Sequence, residues 1–233
     1  TWKSCGSLAR SACTVTCKWT YLAHEGRWDA GYFRAIGLGV LADEGFRRIG
    51  ARIVSPGTAL AAGLTAEAAG QLGLPAGTPV GAGLIDAHAG GLGTVGLEGN
   101  PTGNVAYVFG TSSCTMTSTD APVFVPGVWG PYYSAMVPGA WLNEGGQSAA
   151  GAAIDYLVQL HPAAPEAKVL AEKDGKALPV WLADRALGLA ESASAAAKLA
   201  EDFHVVPEFL GNRAPFADPH ARAVVAGYGM ETG

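Results

Sequence analysis

Two stretches of this chain share one pattern of apolar and polar positions, each an apolar run that stops at a polar group. Residues 79–85 run apolar and glycine-rich into Asp86, and residues 104–109 run apolar into Gly110. Each pattern predicts a strand that ends in a turn. Behind Asp86 stand only Ala87, Ala89, Gly90 and Gly91 around His88, so little bulk is expected between the carboxylate and anything lying above it. Behind Gly110 stand Thr111, Ser112 and Ser113, whose hydroxyls and backbone N–H groups suit an anion. A carboxylate beside an anion loop suggests phosphoryl transfer to a hydroxyl.

Elsewhere the spacing predicts mostly helices. A helical turn is expected within 7–22, and two short helices over 28–36 and 42–49, where Tyr32, Phe33 and Ile36, then Leu41, Phe46 and Ile49, recur at helical intervals. Thr65 begins a small-residue helix that Gly73 and Pro75 end. A strand over 114–119 should return antiparallel to the one before it, and another is expected over 141–144. Residues 145–157 are glycine-rich in front and helical behind, which predicts a helix N-terminus with outward N–H groups and hence a second anion-friendly place. Residues 186–203 are Ala-rich and amphipathic, a further helix, and 205–219 read as a loop with three prolines.

Composition narrows the classes. Hydrophobic residues at 49% against charged ones at 15% describe a globular chain, and 233 residues allow one large domain or parts of two. The net charge of −5, with scattered Lys and Arg, argues against a nucleic-acid partner. No apolar run is long enough for a membrane helix. Four irregularly spaced cysteines, Cys5, Cys13, Cys17 and Cys114, point to a reducing, cytoplasmic setting. Cys13 and Cys17 share a helical face without completing a metal set, so buried thiols are expected. The chain lacks an initiator Met and a closing element, and is expected to be an internal piece of a longer protein.

Five segments in order carry a resemblance: Arg10 to Thr20 (RSACTVTCKWT), Gly83 to His88 (GLIDAH), Phe109 to Ser113 (FGTSS), Glu144 to Ser148 (EGGQS) and Phe209 to Pro215 (FLGNRAP). This ordered set resembles the FGGY carbohydrate kinases in their ribulokinase-like branch. The resemblance implies an α/β fold of the actin-like ATPase (ribonuclease H-like) class, with two domains of mixed sheets and flanking helices and an active site in the cleft between them. Residues 1–91 would end the N-terminal sugar-binding domain, and 92–233 would begin the C-terminal nucleotide-binding domain. Such a piece alone would be inactive.

The resemblance also assigns roles. Asp86 matches the catalytic base and touches the sugar hydroxyl; from the residues alone it reads equally as a carboxylate capping the next helix. Lys18 and Glu144 match sugar-pocket positions, Gly110, Thr111 and Ser112 the phosphate grip, and Gly151 and Asp155 a nucleotide contact, although some members carry Gln where Asp155 stands. His88 is expected to be a packing or hydrogen-bonding residue, because positions i and i+2 of a helix do not share a face. Arg213 reads as a structural loop residue. The implied cofactors are ATP and Mg²⁺, the partner a small sugar or polyol, with a possible homodimer. D-ribulose is the leading substrate, L-ribulose or ribitol the alternatives, and a non-catalytic binding remnant the competing class.

Overall fold

The computed structural model describes residues 1–96 and 99–230, and its contacts divide the chain into two compact units. The first comprises residues 1–108 and 115–145, the second 109–114 and 146–233.

The first unit opens with a short helix α1 (Trp2–Cys5) and strand β1 (Arg10–Ser11), which pairs in parallel with β4 (Ile53–Val54). Helix α2 (Ala12–Trp19) buries Ala12, Cys13 and Val15 and stops at Thr20, whose backbone is left-handed. The hairpin β2 (Tyr21–Leu22) and β3 (Arg27–Trp28) then leads to α3 (Ala30–Ala35), capped by the Asp29 carboxylate, which accepts the Tyr32 N–H. Val15, Trp28 and Phe33 form one core cluster, with Leu41, Phe46 and Ile49 packed against it.

The helix expected over 42–49 is instead α4 (Gly39–Asp43) followed by turns. Gly45 and Phe46 both take positive φ, which ends the helix. The strained Phe46 backbone sets its ring flat on Trp28, with centroids 5.5 Å apart, and edge-on to Phe33. Aromatic packing thus outweighs local periodicity here. Helix α5 (Ala66–Leu72) matches expectation at both ends: Thr65 accepts the Ala68 N–H, and Gly73 closes it with left-handed backbone.

Residues 79–85 do not form a regular strand. They lie extended against 57–60, with Leu60 N–H donating to Val80 O and Ala82 N–H to Thr58 O, but make only one isolated bridge, Ala59 with Gly81. Ala82 points into a small core with Cys5, Ala9 and Leu60. Helix α6 (Asp86–Val95) follows at once.

A four-stranded sheet has the order β5 (Val105–Phe109), β6 (Ser113–Thr119), β8 (Trp141–Gln147), β7 (Trp129–Tyr133). β7 and β8 are antiparallel, with a register shift between Trp129 and Tyr132. The three residues between β5 and β6 allow only an antiparallel return, as the sequence predicts. Gly90 and Gly91 prove to serve packing rather than to clear space above Asp86. A Cβ on Gly91 would stand 2.9 Å from the buried Met116 and Met136, and one on Gly90 would stand 3.3 Å from the half-buried Val108, so both glycines let α6 lie close on these side chains. This packing groups residues 92–108 and 115–145 with the first unit, a partition by contact distinct from the expected boundary after residue 91.

The second unit holds the strand ends Phe109, Ser113–Cys114 and Gly146–Gln147, then α7 (Gly151–Leu160), α8 (Ala164–Lys173), α9 (Leu178–Gly188) and α10 (Ala193–Ala196). The single helix expected over 186–203 is broken. α9 ends at Gly188, and Ser192 starts α10 anew by accepting the Ala195 N–H. Beyond a short 3₁₀ turn, β9 (His204–Val206) pairs antiparallel with β10 (Val224–Ala226).

Candidate active site

In the first unit, α2, α6 and β8 position the sugar-side candidates. Asp86 is the first residue of α6 and is exposed. Its Oδ1 accepts the N–H of Ala87 at 2.8 Å, and its charge sits favourably at the positive end of the helix. The N-cap position of α6 is Ile85, with no side-chain cap bond, so Asp86 does not cap the helix as the residues alone allowed; its bond to the neighbouring N–H nevertheless orients the carboxylate. Lys18, in the last turn of α2, is exposed. Trp19, its neighbour, is partly exposed and stacks at 6.4 Å on Phe33.

Glu144 leaves only 13% of its side chain accessible, and its Oε2 lies 3.1 Å from His88 Nε2. His88 is 1% exposed, and its other ring nitrogen, Nδ1, lies 3.2 Å from Cys13 Sγ. Cys13 Sγ also accepts the N–H of Ile85 at 3.3 Å. A buried row therefore runs from Glu144 through His88 and Cys13 to the residue preceding Asp86. The hydrogen-bonding role expected for His88 is observed, and what sequence reasoning missed is its pairing with Cys13 and Glu144. No local signal could have found it, because Cys13 and Glu144 lie 75 and 56 positions away.

Electrostatics follow from this row. Burial, the largest single influence on His88, lowers its basicity, but the hydrogen bonds and charges of Cys13 and Glu144 together outweigh it and bring the imidazole up to about 9. Burial pushes the Cys17 thiol up to about 12, with Cys13 and Glu144 adding to the rise and Lys18 opposing it. Burial first, then Cys17 and Glu144, raises the Tyr132 phenol. Near this region Thr16, Thr20, Tyr132, Tyr133 and Trp141 line part of an aromatic cavity of about 480 Å³.

The raised imidazole fixes a sign for stability. A group that holds its proton more tightly when folded stabilises fully below its ordinary value of 6.5, and that stabilisation is lost as pH rises through about 9. The shift corresponds to an amount on the order of 3 kcal/mol at most. Urea denaturation of the wild-type and His88→Gln proteins should give a stability difference that shrinks between pH 6.5 and 9. A difference that stays flat across that window would show that the ring gains no basicity on folding.

In the second unit, Gly110, Thr111 and Ser112 form the exposed turn after β5, tightened by the Gly110 N–H donating to Ser112 O at 2.9 Å. The start of α7 does not offer the outward N–H groups expected. Ala150 N–H donates to Thr111 O at 2.8 Å, Gly151 N–H to Gly110 O at 2.9 Å, and Ala152 N–H to Thr111 O at 3.3 Å, while Ala153 N–H returns to Ala150 O. These donors satisfy the helix end by gripping the turn. Gly151 is required for that grip, because a Cβ there would stand 2.6 Å from Gly110 O. Thr111 and Ser112 keep exposed hydroxyls. Asp155 lies one helical turn beyond Gly151 and is exposed. Tyr156 and Phe209, in edge contact at 5.2 Å, line an apolar cavity of about 330 Å³ that no local pattern announces.

Arg213 packs over Gly146, where a Cβ would lie 2.9 Å from the guanidinium carbon. The turn that carries it is held by Asn212, whose Nδ2 donates to Glu208 and whose Oδ1 accepts the Phe216 N–H. This agrees with a structural loop residue.

Comparison with known proteins gives the same direction. Residues 105–233 match the C-terminal domain of the FGGY family of carbohydrate kinases. An FGGY carbohydrate kinase domain-containing protein of Danio rerio is 46% identical, the match covering 98% of this chain and 44% of the relative. A D-ribulokinase of Saccharomyces cerevisiae is 33% identical over 99% of this chain and 36% of its own length. A xylulose kinase structure from Rhodospirillum rubrum superposes with a TM-score of 0.65 at 22% identity, covering all of this chain and 41% of that one. This likeness shows the fold: the chain has the α/β, actin-like ATPase architecture of the sugar kinases. The chain spans less than half the length of the curated relatives it matches.

Proposed function

Since this chain belongs to the FGGY family of carbohydrate kinases, we propose that the full-length protein transfers the γ-phosphate of ATP to a hydroxyl of a pentulose or pentitol, D-ribulose first among them. The observation that carries the reading is Asp86 itself, an exposed carboxylate fixed at the first residue of a helix whose glycines seat it closely on buried side chains. A carboxylate so held suits a base that takes the proton of an attacking hydroxyl. The relative named D-ribulokinase, matched along nearly the whole chain, favours ribulose over other sugars.

In this reading Lys18 and Glu144 hold the sugar hydroxyls, and Thr111 and Ser112 hold the phosphates through exposed N–H and hydroxyl groups on a turn fixed by Gly110. Gly151 acts by lacking a side chain, and Asp155 faces the nucleotide from the next turn of α7. The exposed turn suits a phosphate chain in its chemistry. Mg²⁺ on the ATP phosphates would neutralise charge as it develops on the transferred group. The functional division after residue 91, into sugar-binding and nucleotide-binding parts, belongs to the same reading. So do a cytoplasmic location and a homodimer. Among the described residues no helix is long and apolar enough to cross a membrane.

The test is coupled ADP release by the full-length protein on a panel of ketopentoses, pentitols and glycerol. The highest kcat/KM is expected with D-ribulose. A preference for L-ribulose or ribitol would change the substrate and keep the class, whereas no turnover on any of them would overturn the reading.

A further inference from the structure

We propose that His88 is a positioning residue for the sugar-binding carboxylate, its Nε2–H aiming Glu144 while Cys13 anchors the ring from the other side. This rests on the reading of Glu144 as a sugar contact.

The geometry leaves His88 little else to do. At 1% exposure the ring cannot meet a ligand, and both of its nitrogens are committed inside the first unit, at 3.1 Å to Glu144 Oε2 and 3.2 Å to Cys13 Sγ. An ionised carboxylate only accepts, so Nε2 is the donor toward Glu144 whichever protonation state the ring holds. Glu144 gains from such a donor. Only 13% of its side chain is accessible, and a mostly buried carboxylate is steadied by each hydrogen bond it accepts. Cys17 on α2 and Tyr132 on β7 also interact electrostatically with Glu144.

The anchor on the far side is shared with the catalytic candidate. Cys13, with no exposed surface, takes the N–H of Ile85, and Ile85 is the residue from which α6 starts with Asp86. His88 lies two positions further on the same helix. One buried row therefore fixes the start of α6 and the direction of Glu144 together, so that the sugar-side carboxylates Asp86 and Glu144 keep a constant relation. Removing the Nε2 donor should loosen Glu144 and leave Asp86 in place.

The experiment uses the full-length protein, with D-ribulose and ATP varied separately. His88→Asn keeps an amide near the Cys13 side of the ring and cannot reach Glu144, whereas His88→Gln carries an amide donor out toward the Nε2 position. H88N should raise the ribulose KM on the order of 10-fold, with the ATP KM and kcat within about 3-fold, and H88Q should recover most of the loss, as expected for a lost hydrogen bond to a charged group. Because positioning acts through Glu144, adding H88N to Glu144→Ala should raise KM no further than E144A alone. Equal KM values for wild type and H88N, equal losses in H88N and H88Q, or an additive double variant would each overturn the proposal. Should H88N not fold, Cys13→Ala keeps the ring but removes its anchor together with the acceptor of the Ile85 N–H; a raised ribulose KM with unchanged ATP KM and kcat is expected, and an unchanged ribulose KM overturns it. If E144A itself leaves the ribulose KM untouched, the sugar-site reading fails, and that outcome is distinct from a failure of His88 to position an otherwise active Glu144.

Discussion

Replacing Asp86 by Asn in the full-length protein should lower kcat about 1,000-fold while changing the KM for ATP and sugar only a few-fold, the size expected when a positioned proton acceptor is removed. That loss equals about 4 kcal/mol of transition-state stabilisation. The substitution separates the two roles this residue combines. Asn keeps an oxygen where Asp86 Oδ1 accepts the Ala87 N–H, so this local bond survives. Only the charge at the positive end of α6 goes, a change of under about 1 kcal/mol in stability. Steady-state ADP release and thermal unfolding, measured side by side, give the answer. If kcat were retained and only the melting temperature fell, Asp86 would be a favourable charge at the start of α6 and nothing more, and the kinase reading would lose the residue that carries it.

How far such a site can be read from one sequence depends on the range of the interactions that make it. Thr65 and Gly73 announced α5 correctly because a cap bond and a left-handed terminus are decided within a few residues. The strand 105–109 and its turn at Gly110 were equally legible, since an apolar run and a glycine at its end are local signals. Phe46 was not. Its place in the periodic pattern argued for helix continuation, but a ring seated against both Trp28 and Phe33 outweighs a backbone preference of about 1 kcal/mol. Gly90 and Gly91 were read as open space above Asp86 and turn out to be points of close approach, a distinction that requires knowing what lies opposite. The row joining Glu144, His88, Cys13 and Ile85 was invisible for the same reason. Its members are scattered along the chain, and each alone resembles an ordinary core or capping residue.

The start of α7 shows the same limit and leads to the second large effect. From sequence its free N–H groups promised an anion site, yet in the fold they are spent on the carbonyls of Gly110 and Thr111. The helix therefore acts on the phosphate turn rather than beside it, and the quality of that grip depends on Gly151 having no side chain. Gly151→Val would bring a Cβ to 2.6 Å from Gly110 O and 3.3 Å from Gly110 C, backbone atoms that cannot swing aside as a side chain can. Either the turn or the helix start must move by several tenths of an ångström, at a cost of roughly 1–3 kcal/mol. Because Thr111 and Ser112 ride on the displaced turn, the expected result in the full-length enzyme is an ATP KM raised on the order of 10- to 100-fold, the kinetic equivalent of losing that much free energy from phosphate binding. The sugar KM should stay within about 2-fold, since the sugar-side residues belong to the other unit and keep their own supports. Gly188→Ala, at the end of α9 where a Cβ would meet nothing within 4 Å, is the matched control and should leave both constants unchanged. An ATP KM unaltered in G151V would mean that the turn after β5 does not hold the nucleotide, and the phosphate grip would have to be sought elsewhere in the second unit.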